Sequence, residues 1–178
     1  MALLRRLGFT SFAFWFGSIG GLVAGAGAML IAFPFIFPPP VLNEAPPPAE
    51  ILADAQAGRL RAPFEFDRNA PGRDILHWAN GTGALIRTKG GWVLRFDEDF
   101  EAGPGPNYWI YFNTRAVGEE TDFTADAARV TMAPLRSFRG GQNYTVPATI
   151  DPEGFHTVTI WCESFGVYIG SAVLKKAL

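Results

Sequence analysis

The sequence predicts an all-β domain, an antiparallel β-sandwich or barrel-like body of seven to eight strands, carried on one N-terminal transmembrane helix. Three observations predict it. An uncharged apolar run opens the chain, a proline-rich stretch follows, and the rest alternates short apolar runs with Gly, Pro, Asn and Asp. The 178 residues suit one ordinary domain plus an extra segment. A net charge of −2, with no basic patch and interleaved aromatics, gives no reason to expect a nucleic-acid partner.

Residues 1–6 read as a cytoplasmic N-terminus and 7–37 as the transmembrane helix. As a helix, Leu7 to Phe33 spans about 40 Å, enough to cross a hydrocarbon core with some tilt. Arg5 and Arg6 precede the run, and Glu44 is the first charge after it. The positive-inside bias places the N-terminus in the cytoplasm and the remainder outside. A signal peptide is the competing reading, because "AGAGA" supplies small residues, but the apolar run is long for that role. The short Arg-Arg leader and the Ala-, Pro- and Arg-rich composition suggest a bacterial inner membrane and a periplasmic C-terminal domain.

Gly17, Gly21 and Gly25 fall at GxxxGxxxG spacing, and Gly20, Ala24 and Ala28 form a parallel stripe. Small residues at i and i+4 let a second helix come close, which drives association in lipid. The expected partners are therefore membrane lipid and the transmembrane helices of a larger complex.

Residues 38–61 read as a proline-rich linker with a short helix. Half of the 14 prolines lie between Pro34 and Pro48. Such runs favour extended polyproline II, a semi-rigid spacer. "AEILADAQAGRL", Ala49 to Leu60, is the helix candidate, with Gly58 as its stop.

Residues 62–178 read as the β-domain. Asn80-Gly81 is a hairpin signal, and Lys89-Gly90-Gly91 separates two strand runs. "NYWIYFN", "QNYTVP", "HTVTIWCE" and "GVYIGSAVL" supply further strands. Only "TADAARV" looks helical here.

From about Phe64 to Leu174 the chain resembles the DM-thirteen domain family, associated with DOMON and Skeletor-type proteins. The pieces that carry the resemblance are "NGTGALI", "WVLRFDEDFEAGPGPNYWIYF", "PLRSFRGGQNYTVP" and "HTVTIWCESFGVYIGSAVL". Trp161-Cys162, Phe165 and Gly170 match its hallmark. The resemblance implies an electron-transfer or redox domain in which Cys162 acts as a thiol or as a ligand to a prosthetic group such as haem. The family usually places an acid after its Gly-Pro, where this chain has Asn107.

Strand alternation puts Val158, Ile160 and Cys162 on one apolar face, with Thr157, Thr159 and Trp161 opposite. That reading makes Cys162 a small core hydrophobe with a raised, unreactive thiol. No CxxCH is present for covalent haem attachment. His77, His156, Cys162 and Met132 could in principle assemble a copper site, yet no Cys-loop-His unit follows Cys162. Asp97, Glu98, Asp99 and Glu101 form an acidic turn that calcium or a basic soluble electron carrier could use. Asn80 and Asn143 sit in glycosylation sequons, which matter only in a eukaryotic secretory pathway.

No GxSxG, HExxH or phosphate-binding loop appears, so the expectation is a non-enzyme without a metal or cofactor of its own. The expected function is a membrane-anchored accessory subunit of a respiratory or photosynthetic electron-transfer assembly. The alternatives are a redox domain using Cys162 and a free-standing binding module.

Overall fold

A computed structural model of the chain describes residues 2–47 and 61–175, which fall in two compact units, Met1–Phe37 and Pro38–Leu178. The first is a single α-helix, α1, Ala2–Ile36. Within it Ser11–Ile36 is long and apolar enough to cross a membrane, with mean hydropathy 2.0. No acid occupies its first turn and no base its last, as an apolar span requires. Pro34 sits in the final turn, where its missing N–H removes one of the last helical bonds.

The second unit is a sandwich of two sheets. Its elements are β1 (Leu42–Asn43), β2 (Arg61–Phe66), β3 (Ala79–Thr88), β4 (Gly91–Phe96), β5 (Glu101–Ala102) and β6 (Tyr108–Asn113). A short helix, α2 (Glu120–Ala125), leads to β7 (Val130–Pro134), β8 (Gly140–Thr145), β9 (Thr157–Cys162) and β10 (Val167–Val173). One sheet runs β1-β8-β4-β3-β2 with β5 on β3, and the other runs β10-β9-β6-β7. Every pairing is antiparallel except β1 with β8. The fold is thus an open sandwich rather than a closed barrel. The ten strands among its described residues exceed the expected seven to eight because β1 and β5 are two-residue strands that no periodicity could reveal.

The inner faces meet in one core. Phe64, Phe66, Phe96 and Phe100 form edge-to-face and tilted aromatic contacts at 4.5 to 5.9 Å. Leu94 from one sheet and Ile110, Phe112, Val158 and Ile160 from the other complete it. Fully burying each such side chain is worth about 1.5 to 3 kcal/mol.

Three expectations need correction. The spacer predicted from residue 38 is not free along its first part. Leu42 and Asn43 pair in parallel with Gly140 and Gly141, and Pro40 O accepts from Ser137 Oγ at 2.8 Å. The polar chain after the prolines docks because Glu44 finds Arg136 and Arg95. The helix expected over Ala49 to Leu60 lies outside the described residues.

Asn80-Gly81 makes no hairpin. It lies inside β3, where Gly81 has φ 107 and a Cβ would come within 2.6 Å of Asp99 O. There β3 changes from pairing with β5 to pairing with β2. Glycine serves as an irregularity in a strand rather than as a turn. The hairpin expected at Lys89-Gly90-Gly91 does form, joining β3 to β4.

The helix expected in "TADAARV" forms earlier, over Glu120–Ala125, with Glu120 and Asp122 in its first turn. Acids there complement the helix dipole. Asp126 ends it by turning its carboxylate onto Thr114 N and Oγ1, both at 2.9 Å.

Candidate functional site

Cys162 closes β9, flanked by Tyr108 of β6 and Val167 of β10. It is 2% exposed and belongs to the main core with Val158 and Ile160, as strand alternation requires. Its Sγ donates to Pro106 O at 3.1 Å. Burial pushes the thiol's pKa up, and the N–H groups of Phe165 and Ser164 offset only part of that rise. A neutral carbonyl cannot take the proton, so the group is held as a thiol, the form that is neither nucleophile nor ligand.

A haem-sized group does not fit at this sulfur. The thiol is packed among core side chains, and its proton is committed to Pro106 O. A cavity of about 620 Å³ exists, but Glu65, Asp67, Arg73, Val117, Asp122 and Ser171 are among its walls and Cys162 is not.

The opposite face of β9 is also buried. Trp161 stacks on Phe123 of α2 with ring centroids 4.3 Å apart and planes at 21°. Tyr111, Val117 and Tyr168 complete this second, smaller cluster, with Trp109 packed against it. Arg129 lies 4.7 Å over the Phe123 ring and Arg73 lies 4.4 Å over Tyr168. The sequence hides this cluster because its cover comes from residues 117–129, well away from β9.

The other hallmark residues have separate roles. Phe165 is 50% exposed in the β9–β10 turn, which Gly166 closes with φ 63. Gly170 sits at a bulge in β10, where a Cβ would lie 2.9 Å from Ala79 Cβ. Glycine there lets the edge of one sheet meet the other. Asn107, which departs from the acid usual in the family, has φ 55, which asparagine tolerates. Its O accepts from Glu163 N and its Oδ1 from Trp109 Nε1 at 2.9 Å.

The acidic turn is not a free negative patch. Arg95, 1% exposed, pairs with Asp97 at 3.3 Å and with Glu98. Asp99 accepts from Thr82 N and Oγ1, both at 3.0 Å, and Glu101 pairs with Arg139. Each acid expected to dock a basic carrier is thus engaged within the chain. The sequence does not mark Arg95, because an arginine in a strand pattern gives no sign of burial.

The copper candidates are not brought together. His77 Nδ1 bonds Asp74 Oδ2 at 2.8 Å, and His156 Nδ1 meets Thr157 Oγ1 at 3.2 Å. His156 and Cys162 stand at opposite ends of β9. Among the described residues no cluster of three or more His, Cys, Asp or Glu could hold a metal ion. On α1, Gly17, Gly21 and Gly25 meet no atom within 4 Å of a built Cβ.

Fold and site together define a small β-sandwich with a buried, protonated thiol and an apolar N-terminal helix. A family model described as "Electron transfer DM13" matches residues 73–174, more than half of the chain. The protein belongs to the electron transfer DM13 family. No curated protein and no solved structure matches it.

Proposed function

We propose that the chain is a non-enzymatic, single-pass membrane subunit of a larger electron-transfer assembly. Its N-terminus is cytoplasmic, and its β-domain sits on the periplasmic face of a bacterial inner membrane, following the position of Arg5 and Arg6. The observation that carries the reading is α1, an apolar helix with Gly17, Gly21 and Gly25 at four-residue spacing, while the electron-transfer domain keeps its only thiol packed away. In lipid, small residues at that spacing let another helix approach closely.

The experiment is purification in mild detergent. Wild type is expected to copurify with redox-active membrane proteins, and Gly21→Leu with Gly25→Leu to lose them. A monomer with no associated protein sinks the subunit reading and favours a free-standing binding module.

A second reading makes Cys162 the redox group. It is supported by the family match alone, since burial raises the Cys162 pKa and the Phe165 and Ser164 N–H groups offset only part of that rise. Loss of electron transfer in Cys162→Ser would favour it; the subunit reading expects transfer to persist.

A further inference from the structure

The outer face of the β10-β9-β6-β7 sheet gathers four oxidisable side chains. Trp109 and Trp161 are cross-strand neighbours, Trp161 and Tyr168 are the next pair along, and Tyr111 lies diagonal on the same face. Phe123 bridges two of them. It stacks on Trp161 at 4.3 Å and meets Tyr111 edge-on at 5.0 Å.

The tyrosines differ in what their phenols face. Tyr144 Oη donates to the Gln142 amide oxygen at 2.7 Å. Tyr168 Oη pairs with Ser171 Oγ at 2.6 Å and accepts from Arg73 Nη2 at 2.9 Å, so it has a neutral partner under a cation. Tyr108 packs its ring in the main core, against Phe138. Among the described residues, Tyr111 is the tyrosine whose Oη donates to a carboxylate, Glu163 Oε1.

The two ends of that bond sit in contrasting surroundings. Tyr111 is buried, whereas Glu163 is exposed in the β9–β10 turn. The other polar groups facing the phenol are Thr131 on β7 and the Arg129 guanidinium.

We propose that Tyr111 and Glu163 form a proton-coupled redox pair, with Trp161 as the relay that passes it an electron hole. A high-potential one-electron acceptor, such as a metal centre of the assembly, takes one electron from the Trp161 indole. Tyr111 refills the indole with one electron. Its O–H bond breaks as the proton moves to Glu163 Oε1, forming an O–H bond there. The products are a neutral phenoxyl radical, a protonated Glu163, a restored Trp161 and the reduced acceptor.

Charge favours that endpoint. Arg129, over the Phe123 ring, penalises a lasting cation on Trp161 but not a neutral radical on Tyr111. Loss of the proton to a positioned base is what makes phenol oxidation fast. Burial and the Glu163 carboxylate both raise the Tyr111 pKa, so the phenol carries its proton until it is oxidised.

The inference rests on the electron-transfer reading for its use, but its chemistry is testable on the chain alone. The full chain in detergent micelles is photo-oxidised with a ruthenium polypyridyl sensitiser and a sacrificial acceptor, and radicals are followed by transient absorption and electron paramagnetic resonance. Wild type is expected to yield a neutral tyrosyl radical. Tyr111→Phe should lose most of that signal. Glu163→Gln, an exposed change that keeps an acceptor oxygen for the Tyr111 phenol, should slow its formation by at least about tenfold. An unchanged tyrosyl signal in Tyr111→Phe, or an unchanged rate in Glu163→Gln, overturns the proposal. Failure to copurify with an assembly would sink the subunit reading and leave this result standing.

Discussion

Glu44 and Arg136 form a two-pronged ion pair, with Nη1 to Oε1 at 2.7 Å and Nη2 to Oε2 at 2.8 Å. Glu44 Oε2 also accepts from Asn143 N at 2.7 Å, and its backbone O accepts from Arg95 Nη1 at 2.6 Å. The residue therefore fastens β1 to β8. Glu44→Gln should lower stability at neutral pH by about 1 kcal/mol, the upper end for an exposed pair. Arg136 and the Asn143 N–H hold the Glu44 carboxyl below its ordinary value. The contribution is thus complete above the unfolded-state pKa and disappears as pH falls through the lower folded-state one. Denaturant titrations of both proteins should differ at neutral pH and converge in acid.

Arg95 is the costliest single polar side chain to lose. Its guanidinium is buried and serves Glu44, Asp97, Glu98 and Asn143 at once. Arg95→Met should cost about 3 kcal/mol. The value sits at the low end for a broken buried pair because Asp97 and Glu98 keep access to water. Arg95→Lys should recover only part, since a single ammonium cannot serve a fork of partners. Thermal unfolding of the three proteins checks the order.

Gly170 and Ala79 test the contact between the sheets. Gly170→Ala forces a Cβ into the space that Ala79 Cβ occupies, and overpacking of this kind costs about 1 to 3 kcal/mol. Ala79→Gly alone should also destabilise. The double variant should be more stable than the sum of the two losses, because the second change vacates the volume the first one needs. Additive losses in the four-protein cycle would show that the two positions do not touch.

Cys162 should behave as packing. Cys162→Ala should cost about 1 kcal/mol through the small void it leaves. Native protein should resist maleimide, while denatured protein reacts quickly. Burial raises the folded-state pKa, so the thiol's contribution is complete below its ordinary pKa and fades as pH rises through the higher folded value. Wild type and Cys162→Ala should therefore converge in stability under alkaline conditions.

Local patterns carried much of this fold into view. The alternation in "HTVTIWCE" placed Val158, Ile160 and Cys162 together, and they share the main core. The helix stood out because one long uncharged apolar run can bury its backbone polar groups only in helical hydrogen bonds. Features that depend on distant segments stayed hidden. The cover over Trp161, the docking of Leu42 on Gly140 and the burial of Arg95 each need a neighbour tens of residues away. Asn80-Gly81 misled for a related reason. A positive φ is needed there, but close approach of the Asp99 backbone goes with a place inside a strand and not in a turn. Tyr111 and Glu163 were silent singly, since only the pairing of β6 with β9 brings a phenol to a carboxylate.

β9 lies between β6 and β10 with both of its faces covered. Its peptide groups are bonded along both edges, and no local fraying can wet them. Deuterium can enter there only when the whole sandwich opens. The amides of Val158 through Trp161 should be the slowest in the molecule, and their exchange rates report its global unfolding free energy directly.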